Sequence, residues 1–166
     1  MDAAMPWAML AYHLPREPST PRIVLWRRLR QLGAVQLGDG IAMLPDTPRA
    51  REHLEWLATE VLEAAGDASV WVASPVSAAV HLQLAERMST VTATEYDEVR
   101  RKAVLAADET AAARRKALVR LRGELARVSQ RDYFPPPERE QAVAAVERLA
   151  HVVPGPVGAD DDRRDG

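Results

Sequence analysis

Short apolar runs bounded by proline and glycine alternate with apolar stripes at helical spacing in the first half of the chain. Trp7 to Leu14 is apolar and lies between Pro6 and Pro15, which predicts a buried strand. A turn rich in Pro, Ser and Thr follows. Ser19 or Thr20 can cap a helix, Pro21 suits its first turn, and Leu25, Leu29 and Leu32 fall on one face. Gly33 is placed to end it. Ala34–Leu37 and Ile41–Leu44 flank Gly38-Asp39-Gly40, the pattern of a hairpin. Thr47-Pro48 starts a second helix, with Ala50, Leu54, Leu57, Ala58, Val61, Leu62 and Ala65 as its stripe and Gly66 as its end. Ser69–Ala73 reads as a fourth strand, closed by Pro75. The order strand, helix, strand, strand, helix, strand over residues 6–76 predicts an α+β fold. Its form is a ferredoxin-like βαββαβ unit, a four-stranded antiparallel sheet with both helices on one face.

The second half is different. Residues 77–131 are rich in Ala, Leu, Glu and Arg and nearly free of Gly and Pro. Val80, Leu84, Met88 and Val91 suggest one helix, and Thr94-Glu-Tyr-Asp97 carries a capping signal for another. Val99, Ala103, Ala106, Leu118, Leu121, Leu125 and Val128 continue the stripe. Asp132-Tyr-Phe-Pro-Pro-Pro137 breaks it. A last helix, Glu138–Ala150, has Ala142, Val146 and Leu149 on one side and should fold back as a helical hairpin. Residues 77–152 thus form a helical extension, and 153–166, dominated by Pro, Gly and Asp, an expected disordered tail.

Composition narrows the function classes. The chain has 166 residues, no cysteine and a formal net charge of −2. Disulfides, cysteine metal sites and thiol catalysis are excluded. No apolar run is long enough for a membrane span, and no signal peptide is visible, so a cytoplasmic protein without membrane contact is expected. Charge is unevenly spread: Arg100–Arg131 holds ten Lys/Arg against three Asp/Glu. Such segregation bears on partners more than the total does.

The block PREPSTPRIVLWRRLRQLGAVQLGDGIAMLPDT, residues 15–47, resembles the N-terminal domain of the ChrB family of chromate resistance regulators. The later Arg131-Asp-Tyr-Phe-Pro135 block looks like that family's helical part, so the likeness spans about residues 6–151. It implies a bacterial, cytoplasmic protein that senses chromate and regulates transcription of a resistance operon with an efflux transporter. The implied partners are promoter DNA of that operon and chromate. Longer family members carry a second, C-terminal domain, and activities of that domain would not be expected here. A more distant likeness in strand order joins the chain to small CRISPR-associated nucleases, which hold a metal with an aspartate ending the first strand. Here that neighbourhood reads Ala11-Tyr12-His13-Leu14-Pro15, without the carboxylate.

Two sets of residues are candidates for binding. Arg16, Ser19, Thr20 and Arg22 surround a helix N-terminus, where free N–H groups, hydroxyls and guanidinium groups suit an oxyanion such as chromate. The bland alternative is an ordinary helix start with surface arginines. Arg27, Arg28 and Arg30 on the same helix, with Arg114, Arg115 and Lys116 in the basic run, could contact a phosphate backbone. The alternative is a solvated face with pairs to nearby acids. His13, His53, His81 and His151 lack ligand spacing, and Asp39 suits its turn. Trp7, Trp26, Trp56 and Trp71 are expected in the core, and Tyr133-Phe134 as a packed anchor. No catalytic constellation, cofactor loop or metal site is legible, so no enzyme is expected. Three readings remain: a DNA-contacting regulator, a stand-alone oxyanion- or protein-binding module, and a degenerate metal-dependent nuclease. An open sheet edge would also allow a homodimer.

Overall fold

The computed structural model describes residues 5–152; the expected tail at 153–166 lies outside them. Elements run β1 (Trp7–His13), α1 (Thr20–Leu32), β2 (Val35–Gln36), β3 (Ile41–Pro45), α2 (Pro48–Glu63), β4 (Asp67–Ala73), α3 (Ala78–Ala106), α4 (Ala111–Ser129) and α5 (Glu138–Val152). The protein is α+β, with one four-stranded sheet in the order β2-β3-β1-β4, every neighbouring pair antiparallel. Among the described residues no helix is long and apolar enough to cross a membrane.

The chain divides into two compact units. The first runs to Thr92 and takes in Gln130–Pro136; the second is Ala93–Ser129 with the described residues from Pro137 to Val152. The first unit therefore does not stop at residue 76. Leu84 and Met88 of α3 belong to its core, and Tyr133 and Phe134 pack against that core.

In the sheet, large residues face small ones across the strands. Ala8 opposes Leu44 and Leu10 opposes Ala42, and all four are fully buried on one face. Helix α2 packs on β1 and β4 through Leu54, Leu57, Ala58 and Val61. On the other face Trp7 is buried beside His81 and Phe134, and its indole N–H donates to His81 Nδ1 at 3.3 Å. The Tyr133 hydroxyl donates to the Leu32 carbonyl at the end of α1.

Local signals explain the helix ends, with two corrections. Helix α2 starts as its sequence predicts: Thr47 is extended and its hydroxyl accepts from the Ala50 N–H at 3.0 Å. Gly33 ends α1 at φ 75°, where glycine avoids the Cβ clash of the left-handed region. Ser19, in contrast, is helical in conformation and its side chain makes no cap bond. Gly66 does not supply the left-handed residue after α2 either. Ala65 does, at φ 59°. Gly66 is needed for closeness, since a Cβ there would lie 2.3 Å from the His13 carbonyl oxygen.

The second unit has its own core, in which Tyr96, Val99, Ala103 and Ala106 of α3 join Leu118, Leu121 and Val128 of α4 and Ala142, Ala145, Val146 and Leu149 of α5. Helix α3 runs unbroken through Thr94, so the capping signal there is not used. The break comes at residues 107–110. Thr110 starts α4, its carbonyl accepting from the Arg114 N–H, and Arg114 Nη1 returns to the Ala107 carbonyl at 3.2 Å.

Three of the four tryptophans are not core residues. Trp26, Trp56 and Trp71 are 49%, 64% and 57% exposed. Leu62 of the α2 stripe is exposed as well.

Candidate anion-binding cleft

A cleft of about 600 Å³ opens where the end of β1, the start of α1 and the β2–β3 turn meet. The helix contributes Ser19, Arg22, Ile23 and Trp26, spaced i, i+3, i+4 and i+7 and so on one face. The strand and the turn after it contribute Tyr12, His13, Leu14 and Arg16. Gln36 and Asp39 complete the wall from the hairpin, which is tied to β1 by the Tyr12 N–H donating to the Gly40 carbonyl at 2.8 Å.

Three of the four residues expected to hold an oxyanion therefore share one cleft. Thr20 does not. It is the next residue round the helix and lines a separate apolar depression with Leu14, Pro18, Val24 and Val61. Among the described residues neither Arg16 nor Arg22 has a carboxylate partner. Pro21 lacks an N–H, which thins the donors at the helix N-terminus. The cleft's positive charge is thus carried chiefly by the two guanidinium groups. Asp39 opposes them. The Tyr12 phenol is pushed above its ordinary pKa, mainly by burial and next by the Asp39 charge, while Arg22 pulls it down. Arg30 stacks on the Trp26 ring, 4.9 Å from its centroid. The cleft can thus receive an anion on its arginines, a donor on Asp39 and a flat group against Trp26.

Residues 22–155 match the family described as "Protein ChrB, N-terminal". The chain belongs to this ChrB N-terminal family. A curated relative, Protein ChrB of Cupriavidus metallidurans, is 42% identical over 93 residues, 55% of this chain. The aligned part spans only 28% of that relative's length. No solved structure matches. Within the ChrB-family match, Arg22, Trp26, Gln36 and Asp39 are included, whereas Arg16 and Ser19 lie before its first residue.

The six expected nucleic-acid contacts are placed unequally in this ChrB-family chain. Arg27 is exposed, and among the described residues it has no carboxylate partner. Arg28 pairs with Glu60 on α2. Arg30 is exposed but engaged with Trp26. Arg114 is half-buried and bonded to the end of α3. Arg115 and Lys116 are exposed on α4, where Arg122 and Arg127, not singled out from sequence, are exposed too. Much of the basic run is already matched. Arg100 and Arg101 pair with Asp97, holding its carboxyl below the usual range. Lys102 sits 2.9 Å from Glu98 and 3.0 Å from Glu124, which also faces Arg120.

Proposed function

We propose that this protein acts in chromate resistance as a transcriptional regulator that contacts DNA through the exposed face of α1. We also read its strand order as the ferredoxin-like arrangement, followed by a helical hairpin of α4 and α5. Membership of the ChrB family supports the biological setting. The observation that carries the contact surface is the outward side of α1. It presents Arg22, Trp26, Arg27 and Arg30, and among the described residues none of the three arginines is ion-paired to a carboxylate, while Arg28 turns to Glu60. Guanidinium groups give phosphate contacts, and an exposed indole gives a surface on which a base can stack. The basic side of α4, with Arg115, Lys116, Arg122 and Arg127, is a further phosphate-contacting surface.

A second reading is favoured by the cleft itself. Arg16, Ser19 and Arg22 converge on a space in which a tetrahedral oxyanion can be bound. Chromate is the oxyanion that the family suggests. The two readings meet at Arg22, since chromate held there would compete with a DNA phosphate.

The test is fluorescence anisotropy of labelled promoter DNA from the protein's own operon across a salt series. Each lost phosphate contact lowers the slope of log affinity against log salt by about 0.9. Arg22→Ala with Arg27→Ala should therefore reduce the slope by about 2. An unchanged slope overturns the α1 assignment. Release of the DNA by chromate but not by sulfate, abolished by Arg16→Ala, supports the cleft reading; release that ignores Arg16→Ala refutes it.

A further inference from the structure

We propose that the outer edge of β4 is a homodimer interface, at which β4 pairs antiparallel with the β4 of a second copy to make one eight-stranded sheet. Strand β4 ends the sheet, and all seven of its residues pair with β1 on one side. On the other side its backbone groups take no hydrogen-bond partner among the described residues. The opposite edge is closed. Strand β2 has two residues, and its Gln36 carbonyl already accepts from Arg87 Nη2 at 2.7 Å.

Edge strands of proteins that stay monomeric are blunted by lysine, proline, bulges or shortness. Strand β4, Asp-Ala-Ser-Val-Trp-Val-Ala, has none of these; its one charge, Asp67, sits at the end. Trp71 and Val72 are exposed on a strand long enough to template another.

The choice of a second copy as occupant follows from the strand's self-complementarity. With a two-fold axis at Val70, Val70 opposes Val70 of the second copy, Ala68 opposes Val72 and Ser69 opposes Trp71. Small residues then meet large ones, as they do between β1 and β3. Asp67 meets Ala73, so like charges never face each other. The two Trp71 indoles come to lie diagonally about the axis; each donates to its own Ser69 hydroxyl at 2.8 Å. Leu62 adds to the apolar strip. It lies two residues, about 200° of helix rotation, beyond Glu60, the α2 residue that faces α1. Its exposed side chain is therefore on the β4 side of α2.

The absence of cysteine makes the test clean. Opposed residues of an antiparallel pair have Cα atoms about 4.5–5.5 Å apart, within disulfide range. Val70→Cys should give a covalent dimer on mild oxidation, and Val104→Cys, on an exposed side of α3, should not. Sedimentation equilibrium of the unmodified protein should show a dimer. Ala68→Lys and Val72→Glu should each weaken it about tenfold or more, and the double variant should recover it, because lysine and glutamate then face each other across the axis. If Val70→Cys does not fold, this charge-swap series still decides the matter. A monomer at high micromolar concentration overturns the proposal. So does a dimer that Val70→Cys fails to cross-link while folded, or one for which the double variant is no better than either single change.

Discussion

Replacing Gly66 with alanine should destabilise the first unit through one contact. The new methyl would lie 2.3 Å from the His13 carbonyl oxygen, 2.8 Å from Val61 Cγ1 and 3.0 Å from Leu14 Cδ2. The oxygen belongs to the backbone of the central strand and cannot rotate aside. The end of α2 and the end of β1 must therefore separate by about 1 Å to restore a normal contact. Val61 and Leu14, both buried, then lose part of their packing. Overpacking of this kind costs about 2–3 kcal/mol. For a chain of this length that lowers the melting temperature by roughly 5–10 °C. Gly38→Ala is the control. Gly38 has φ 66° but nothing within 4 Å of its absent Cβ. It should lose only the left-handed backbone penalty, about 1 kcal/mol or roughly 3 °C. Thermal melting by circular dichroism compares the two. A Gly66→Ala protein that melts within about 1 °C of the parent, or no lower than Gly38→Ala, refutes the steric argument. His13 and Leu14 also line the cleft, so the same change should weaken binding there.

Two further changes read the same fold. Ala65→Gly should raise stability by about 1 kcal/mol, because glycine removes the Cβ penalty at φ 59°; a fall in melting temperature would count against it. Asp46 accepts two hydrogen bonds from Arg51, both 2.6 Å, which hold its carboxyl below the usual range. With a lowered folded pKa, the pair stabilises the protein above the ordinary carboxylate pKa, and that contribution is lost as pH falls through the folded value. Asp46→Asn should therefore melt below the parent at neutral pH, with the gap closing in acid, as melting temperatures across a pH series would show.

The first half of the chain was readable because each element begins or ends on a residue with its own local mechanism. Thr47-Pro48, Gly33 and the Gly-Asp-Gly turn act within a few residues of themselves. In the long helices the decisive signal is packing, not a local cap. Leu84, Met88, Thr92, Tyr96, Val99, Ala103 and Ala106 form one buried stripe at intervals of three and four. Thr92 is polar, yet its hydroxyl donates back to the Ser89 carbonyl at 3.1 Å and so tolerates burial. That continuity overrode the cap signal at Thr94. The true break falls where Asp108-Glu109-Thr110 interrupts the stripe, a polar triplet without glycine or proline. The exposure of Trp26, Trp56 and Trp71 is not legible in sequence, because apolar character alone does not say which face of an element is covered.

The cleft shows the same division. Ser19, Arg22, Ile23 and Trp26 could be grouped from helical spacing, whereas Tyr12, Gln36 and Asp39 needed the strand register. The basic runs divide in the same way. Arg27 and Arg28 are neighbours in sequence but about 100° apart on the helix, and that angle gives Arg28 to Glu60 and leaves Arg27 in solvent. In the basic run, Arg100, Arg101, Lys102 and Arg120 meet acids on their own or a facing helix, and Arg114 is bonded to a helix end. An excess of basic residues thus overstates the field a partner would meet. The relevant set is the cations left after intramolecular pairing. Among them, Arg16, Arg22 and Arg27 around α1, and Arg115, Lys116, Arg122 and Arg127 on α4, are where salt dependence should be sought.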